Sequence, residues 1–173
     1  MLSSTLPSRA AVCLCATALF AAGAVCAETV KVHLKGFEEV PAVSTGASGE
    51  LRLRIDDRAG MIDYELSYEG LQGTVTQAHI HVGQHGVAGG IAIWLCQTAT
   101  NPAPAAVAAA TPQCPAAGKV SGTITAASVI GPLPQLVTAG QLDEVIAAIR
   151  AGVAYGNVHS SAVPGGEIRG QLK

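Results

Sequence analysis

Short segments in which apolar and polar residues alternate recur along the chain, and they constrain its fold more than any other feature. Successive residues of a strand point to opposite faces, so alternation predicts a strand with one face in a core. Most of these segments end at turns rich in glycine or proline. We predict strands over 30–35, 50–56, 61–68, 75–82, 91–96, 120–126, 153–160 and 167–172. The sequence therefore predicts an all-β domain, an antiparallel β-sandwich or barrel with Greek-key-like connections.

One segment follows the helical period instead. Thr138 and Gln141 fit a capping box at its start, and Gly152 fits a helix end. Apolar residues three or four positions apart would form a single buried stripe. They are Leu142, Val145, Ile146 and Ile149. We predict one crossover α-helix over 138–152.

The first 27 residues have the features of a secretory signal peptide. Arg9 gives a weakly positive start, 10–22 is apolar, and Val25-Cys26-Ala27 fits a cleavage site. The apolar run is shorter than the roughly 20 residues that span a bilayer, so we expect no membrane span after its removal. The sequence predicts a signal peptide over 1–27, a single domain over 28–173, and a periplasmic or secreted location.

Two cysteines, Cys96 and Cys114, lie beyond the predicted signal peptide. An even pair in an oxidising compartment favours a disulfide bond. This bond would close a loop rich in proline and alanine. A metal or redox site made of these cysteines is disfavoured, because they lack the CxxC spacing.

Composition excludes one class of partner. The net charge is −2 and only 3% of residues are aromatic. Proteins that bind nucleic acids cluster lysine and arginine against the phosphates and often stack bases on aromatic rings. We expect no nucleic-acid partner. No catalytic residue can be assigned either, so an enzymatic role stays open, with the balance against one.

The segment from Ala78 to Gly86 carries the most chemistry. His79 and His81 are two apart on a predicted strand, so they would share a face about 7 Å apart. His85 follows on a glycine-rich turn, and His159 lies on a predicted strand near the C-terminus. Copper and zinc favour neutral imidazole ligands in exported proteins. We predict a metal site made of His79, His81, His159 and His85, with copper ahead of zinc.

Polar residues near His159 have two interpretations. Tyr155 and Asn157 share its face and could hydrogen-bond to ligand histidines. Glu167 and Arg169 are two apart, and we expect a cross-strand ion pair at the surface or rim. In the alternative, Asn157, His159, Glu167 and Arg169 form a buried structural network, and no metal binds.

Motifs at both ends of the chain resemble those of one family. The motifs are Ala78–Gly83, Tyr155–His159, Pro164–Leu172, and Leu34-Lys35-Gly36 followed by Glu39-Val40-Pro41. Together they resemble the CHRD domain, named from chordin and common in bacterial secreted proteins. The resemblance runs from about Val30 to the C-terminus and implies an all-β domain. It implies no defined biochemical role, because that of the bacterial members is poorly defined.

A weaker likeness is to the copper-zinc superoxide dismutase fold, which holds copper inside an antiparallel β-barrel. In that likeness His79 and His81 match the strand pair of copper ligands, and His159 matches the distant strand ligand. The dismutase zinc site requires further histidines and an aspartate, and only His33 and His85 remain for it.

Three functions are consistent with these features. The first is an exported metal-binding protein with copper ahead of zinc. The alternative is an extracellular interaction or structural module in which the histidines are structural. The third is a copper oxidoreductase of the superoxide dismutase type. The physiological partner, whether a protein or a metal, is left unspecified.

Overall fold

The computed structural model describes residues 27–173, and all of the predicted strands are present. The predicted signal peptide, apart from Ala27, lies outside the described residues. The strands are β1 (Glu28–Lys35), β2 (Ser48–Asp56), β3 (Met61–Glu69), β4 (Val75–Val82), β5 (Gly90–Cys96), β6 (Gly118–Ile124), β7 (Ala154–Ser160) and β8 (Ile168–Leu172). No helix within 27–173 is long and apolar enough to span a membrane.

The eight strands form one antiparallel sheet in the order β5-β4-β7-β8-β1-β2-β3-β6. The edge strands β5 and β6 approach each other. The Tyr64 hydroxyl of β3 donates a hydrogen bond to the Leu95 carbonyl of β5 at 2.6 Å, which ties the two ends of the sheet together. The sheet therefore curls into a nearly closed barrel. Strand β7 returns beside β4, as in a Greek key.

The inner face of the barrel is the hydrophobic core. On β2 the side chains of Leu51, Leu53 and Ile55 are buried, whereas Arg52 and Arg54 between them are exposed. The same alternation holds along β3. Burial of this kind stabilises the fold by about 25 cal/mol for each Å² of apolar surface removed from water.

Two short helices accompany the barrel, α1 (Ala105–Ala108) and α2 (Leu142–Arg150). The predicted apolar stripe of α2 is buried, and the chain leaves the helix at Gly152, which has φ 69°. The predicted start at Thr138 is wrong, because Gly140 has φ 89° and interrupts any helix through it. Gln141 keeps half of the predicted capping box, since its side chain accepts a hydrogen bond from the Thr138 N–H at 2.7 Å.

The predicted disulfide bond between Cys96 and Cys114 is confirmed. In the chain-entropy description, closing a loop of this length contributes about 3 kcal/mol. The loop also contains α1, which the sequence did not predict. The buried Gln97 side chain orders it further, because its amide donates to the carbonyls of Ala108 and Thr111 and accepts from the Ala103 N–H.

Candidate metal centre

The candidate site lies on the outer face of three neighbouring strands, β4, β7 and β8. Their inward residues, including Ala78, Ile80, Val158 and Ile168, belong to the core. Their outward residues are in register with one another: His79 faces Asn157, His81 faces Tyr155, and Asn157 faces Arg169. Pairing of β4 with β5 shifts register on either side of His79 and Ile80. Such bulges change the direction in which nearby side chains point.

Three loops cover this outer face and bury it. They are the loop after β4, the segment between β1 and β2, and the turn between β7 and β8. The exposed fractions of His79, His81 and His159 are only 0%, 7% and 6%. The polar side chains on the outer face of these strands are therefore enclosed by loops and shielded from solvent.

The glycine-rich loop after β4 must pass very close to the strand. A Cβ atom at Gly89 would lie 1.7 Å from the Val82 carbonyl oxygen, which no side chain can tolerate. This close approach places the Gly89 carbonyl 2.9 Å from His81 Nδ1. The sequence interpretation of this loop as a turn is correct, and the turn also supplies a hydrogen-bond acceptor for the site.

The three strand histidines form one cluster. One ligand nitrogen from each of His79, His81 and His159 lies within 4.8 Å of the others. His79 Nδ1 and His159 Nε2 are 3.1 Å apart. Within residues 27–173 this is the only group of three or more histidine, cysteine or acidic side chains close enough to share an ion.

Backbone carbonyls fix which nitrogens can act as ligands. His81 Nδ1 faces the Gly89 carbonyl, and His159 Nδ1 faces the Pro164 carbonyl, each at 2.9 Å. A carbonyl only accepts, so both Nδ1 atoms carry the proton and both Nε2 atoms carry a lone pair. Histidine ligands of metals are commonly oriented in this way. His79 Nε2 and His81 Nε2 are buried and have no hydrogen-bond partner.

Burial keeps the cluster uncharged. It lowers the pKa of His79 to about 2, and the neighbouring histidines His159 and His81 lower it further. Burial also lowers the pKa of His81 to about 4, although the hydrogen bond to Gly89 opposes the shift. The pKa of His159 is lowered for the same reason. At neutral pH the three imidazoles are neutral, the form that binds metal ions.

Aromatic and cationic groups hold the histidine rings in place. The Tyr155 ring stacks on His81 with centroids 4.7 Å apart and planes 6° apart. The Arg169 guanidinium carbon lies 3.3 Å from the centroid of the same ring. Two planar groups cannot share one face at these distances, so Tyr155 lies between them. Trp94 packs edge-to-face against His79 with centroids 4.3 Å apart.

The expected surface ion pair between Glu167 and Arg169 is wrong. Both residues are buried, and the structure forms no salt bridge between them. Strand β8 begins at Ile168, so Glu167 does not share a strand face with Arg169. The Glu167 carboxylate instead accepts hydrogen bonds from the hydroxyls of Ser160 and Thr45 and from the Gln72 N–H. Glu167 therefore fastens two loops to β7.

His85 does not join the cluster. It lies on the exposed part of the loop after β4, and its Nε2 is 3.0 Å from the Glu38 carboxylate. The loop contributes the Gly89 carbonyl to the site instead of a histidine. His33 is exposed on β1 near Glu50, in agreement with its interpretation as a surface residue.

Glu39 belongs to the site, and the sequence did not identify it as a candidate. It is 7% exposed, and burial raises its pKa to about 7, although the Arg169 charge and the Asn157 amide oppose the shift. A Cβ atom at Gly166, which has φ 127°, would lie 2.6 Å from Glu39 Oε1 and 2.8 Å from Asn157 Nδ2. The only signal was the Glu39-Val40-Pro41 motif, since a loop has no periodicity.

Two cavities lie elsewhere on the barrel. One of about 500 Å³ is lined by residues of β1, β2 and β3, and one of about 640 Å³ by apolar residues between 104 and 140. Neither contains a group of metal-ligating side chains comparable to the histidine cluster. The chemistry of the described residues is therefore concentrated in the site on β4, β7 and β8.

Comparison with protein families gives one match, to the CHRD domain over residues 30–172. This span contains nearly all of the barrel and every residue of the histidine cluster. No curated protein and no solved structure gives a match. The likeness to copper-zinc superoxide dismutase therefore depends on the positions of the histidines.

Proposed function

The chain belongs to the CHRD domain family, and we propose that it binds a transition-metal ion, copper ahead of zinc, through His79, His81 and His159. The observation that carries this proposal is the buried cluster itself, three neutral imidazoles with ligand nitrogens within 4.8 Å of one another. Nitrogen ligands of this kind suit both copper and zinc, and copper binds more tightly in the usual order of divalent ions.

A purely structural role accounts less well for the same histidines. Buried polar atoms in proteins are nearly always hydrogen-bonded, and an unpaired one costs about 1–3 kcal/mol. His79 Nε2 and His81 Nε2 are both buried without a partner. A bound ion compensates the cluster for this cost, whereas a structural network would be expected to pair these nitrogens.

We also propose that the protein acts outside the cytoplasm, as a module that sequesters or delivers the metal. The predicted signal peptide and the Cys96–Cys114 disulfide bond support this location, because disulfides persist in oxidising compartments. The copper-zinc superoxide dismutase fold holds a zinc site in addition to its copper site. The described residues provide a single cluster.

Calorimetric titration of chelator-treated protein with Cu(II) and with Zn(II) tests the metal proposal. We expect binding at micromolar concentration or below, lost in the His79→Ala and His159→Ala variants. His33→Ala is the matched control, because that histidine is exposed on β1 and should leave binding unchanged.

Equal binding by the wild type and by His79→Ala would overturn the metal proposal, as would no binding above that of a surface histidine. In either case the structural or interaction role would be favoured. Circular dichroism of each variant establishes that a loss of binding does not reflect unfolding. Elemental analysis of the exported protein, before any metal is added, identifies the ion bound in the cell.

A further inference from the structure

The metal centre contains an oxygen donor in addition to the three histidines. We propose that the Asn157 side-chain oxygen coordinates the same ion and completes a site of three nitrogens and one oxygen. This inference rests on the proposed function, since it concerns the same ion. It assigns Asn157 as a ligand, and not only as a hydrogen-bonding neighbour.

The first observation is a contact between two hydrogen-bond acceptors. Asn157 Oδ1 lies 3.1 Å from His159 Nε2. The Pro164 carbonyl takes the proton of His159 Nδ1, so Nε2 of the neutral ring carries a lone pair. A carbonyl oxygen and a lone pair repel each other at this distance unless a proton or a cation lies between them.

The nearby proton does not relieve this contact. His79 Nδ1 is also 3.1 Å from His159 Nε2 and can donate one hydrogen bond to it. That bond uses the lone pair of His159 and leaves Asn157 Oδ1 facing an acceptor. A metal ion removes the repulsion between Asn157 Oδ1 and His159 Nε2. The nitrogens of His79 and His159 and the oxygen of Asn157 can all donate electron pairs to the ion.

The second observation is that the surroundings orient the amide. Asn157 Nδ2 and Glu39 Oε1 both lie against Gly166, so the amide nitrogen is on the carboxylate side and the oxygen on the histidine side. Glu39 Oε1 is buried and has no hydrogen-bond partner, so the amide nitrogen is the donor that lies on its side. Rotating the amide by half a turn would set its oxygen against the carboxylate. Glu39 is thus a positioning residue.

The third observation is the register of the strands. Asn157 faces His79 directly across β4 and β7. Side chains so paired have Cβ atoms about 5 Å apart. The oxygen therefore contacts His159 Nε2, the same atom that His79 Nδ1 contacts at 3.1 Å.

A fourth protein ligand changes what the site can do. Sites with four protein ligands hold their metal without an open position, whereas catalytic sites leave one position for substrate. A carbonyl oxygen is also a hard donor and favours divalent ions over Cu(I). We therefore expect a site that holds Cu(II) or Zn(II) and that binds exogenous anions poorly.

Isotope labelling tests this assignment without a mutation, because the chain has asparagine only at positions 101 and 157. The full-length exported protein is labelled with 13C-asparagine, loaded with Cu(II), and measured by electron-nuclear double resonance. We expect a strongly coupled 13C nucleus, unchanged in the Asn101→Ala variant, in which Asn157 is the only labelled residue. Absence of that coupling in Cu(II)-loaded protein overturns the inference.

A variant gives an independent measurement. Asn157→Ala should weaken Cu(II) binding by more than the roughly 10- to 100-fold that loss of a hydrogen-bonding neighbour of a ligand typically causes, and it should strengthen the charge-transfer absorption band of bound azide. Unchanged affinity in this variant would overturn the oxygen ligand. Failure of the wild type to bind either Cu(II) or Zn(II) would overturn the proposed function itself, so the two failures are distinguishable.

Discussion

Two outer faces of the same barrel differ sharply in what covers them. On β2 and β3 the outward side chains are exposed and form pairs such as Arg54–Asp63 and Lys119–Glu65, the latter joining β3 to β6. On β4, β7 and β8 the outward side chains are covered by loops, and every residue of β7 is buried. Exposed ion pairs contribute about 0–1 kcal/mol. Enclosed polar groups have larger and more specific effects, because water cannot replace a lost partner.

The largest expected effect is a fall in the free energy of unfolding at acidic pH, caused by the histidines of the covered face. The folded pKa values of His79, His81 and His159 are lowered, so below about pH 6.5 the unfolded chain takes up protons that the folded protein does not. His79 and His81 should then each cost up to about 1.4 kcal/mol for every further pH unit, and His159 should add a cost of the same sign. Urea denaturation of metal-free protein between pH 7.5 and 5.5 should show a steep loss of stability.

Glu39 acts in the opposite direction over part of the same range. Its folded pKa is raised from 4.5 to about 7, so its contribution to stability is full below pH 4.5 and declines as the pH rises towards 7. The variant His79→Gln should lessen the acid loss by up to about 1.4 kcal/mol per pH unit, and Glu39→Gln should steepen it. Equal stability of the wild type at pH 7.5 and pH 5.5 would contradict the lowered histidine pKa values.

The next effect concerns two glutamates, one on each face. Glu167→Ala removes the carboxylate shared by Ser160, Thr45 and the Gln72 N–H, and should cost about 3 kcal/mol of unfolding free energy. Glu65→Ala removes an exposed pair with Lys119 and should cost less than about 1 kcal/mol. Denaturation midpoints at pH 7 measure both. Similar losses of unfolding free energy in the two variants would show that polar contacts on the covered face stabilise the protein no more than those on the exposed face.

Metal should stabilise the covered face by mass action. At a free concentration of about 100 times its Kd, an ion that binds only the folded state adds about 2.7 kcal/mol to the unfolding free energy. Thermal unfolding with and without Zn(II) measures this gain, and His79→Ala should abolish it. An equal gain in that variant would place the ion elsewhere on the protein.

The two faces also differ in how well the sequence predicts them. Along β2 the alternation of Leu51, Arg52 and Leu53 is also an alternation of buried and exposed residues, so the pattern alone predicts the strand and its orientation. The pairing of His79 with His81 follows from the same period of two. These predictions succeed because they depend on neighbours in the sequence.

The sequence predictions fail where the conformation of a loop determines the position of a residue. The covered site depends on contacts between distant segments, such as Glu167 with Thr45 at a separation of 122 residues, which no local pattern encodes. Glu39 was missed for that reason, and His85 was assigned to a cluster that its loop does not reach. Helix α2 begins after Gly140 because this glycine has a positive φ. A glycine can adopt either sign of φ, so the sequence alone does not predict this conformation.

The smallest and most specific effect concerns two glycines of the loop that covers His81. Gly89→Ala places a Cβ atom 1.7 Å from the Val82 carbonyl, so the loop must move and the Gly89 carbonyl must leave His81 Nδ1. Losing the group that orients a ligand typically weakens metal binding about tenfold or more. Gly86→Ala meets no atom within 4 Å but adopts φ 75°, so it should cost about 1 kcal/mol of stability and leave metal affinity unchanged. Calorimetric titration of both variants with metal tests whether the Gly89 carbonyl acts by orienting His81. An equal loss of metal affinity in Gly86→Ala would indicate that any disturbance of the loop weakens binding.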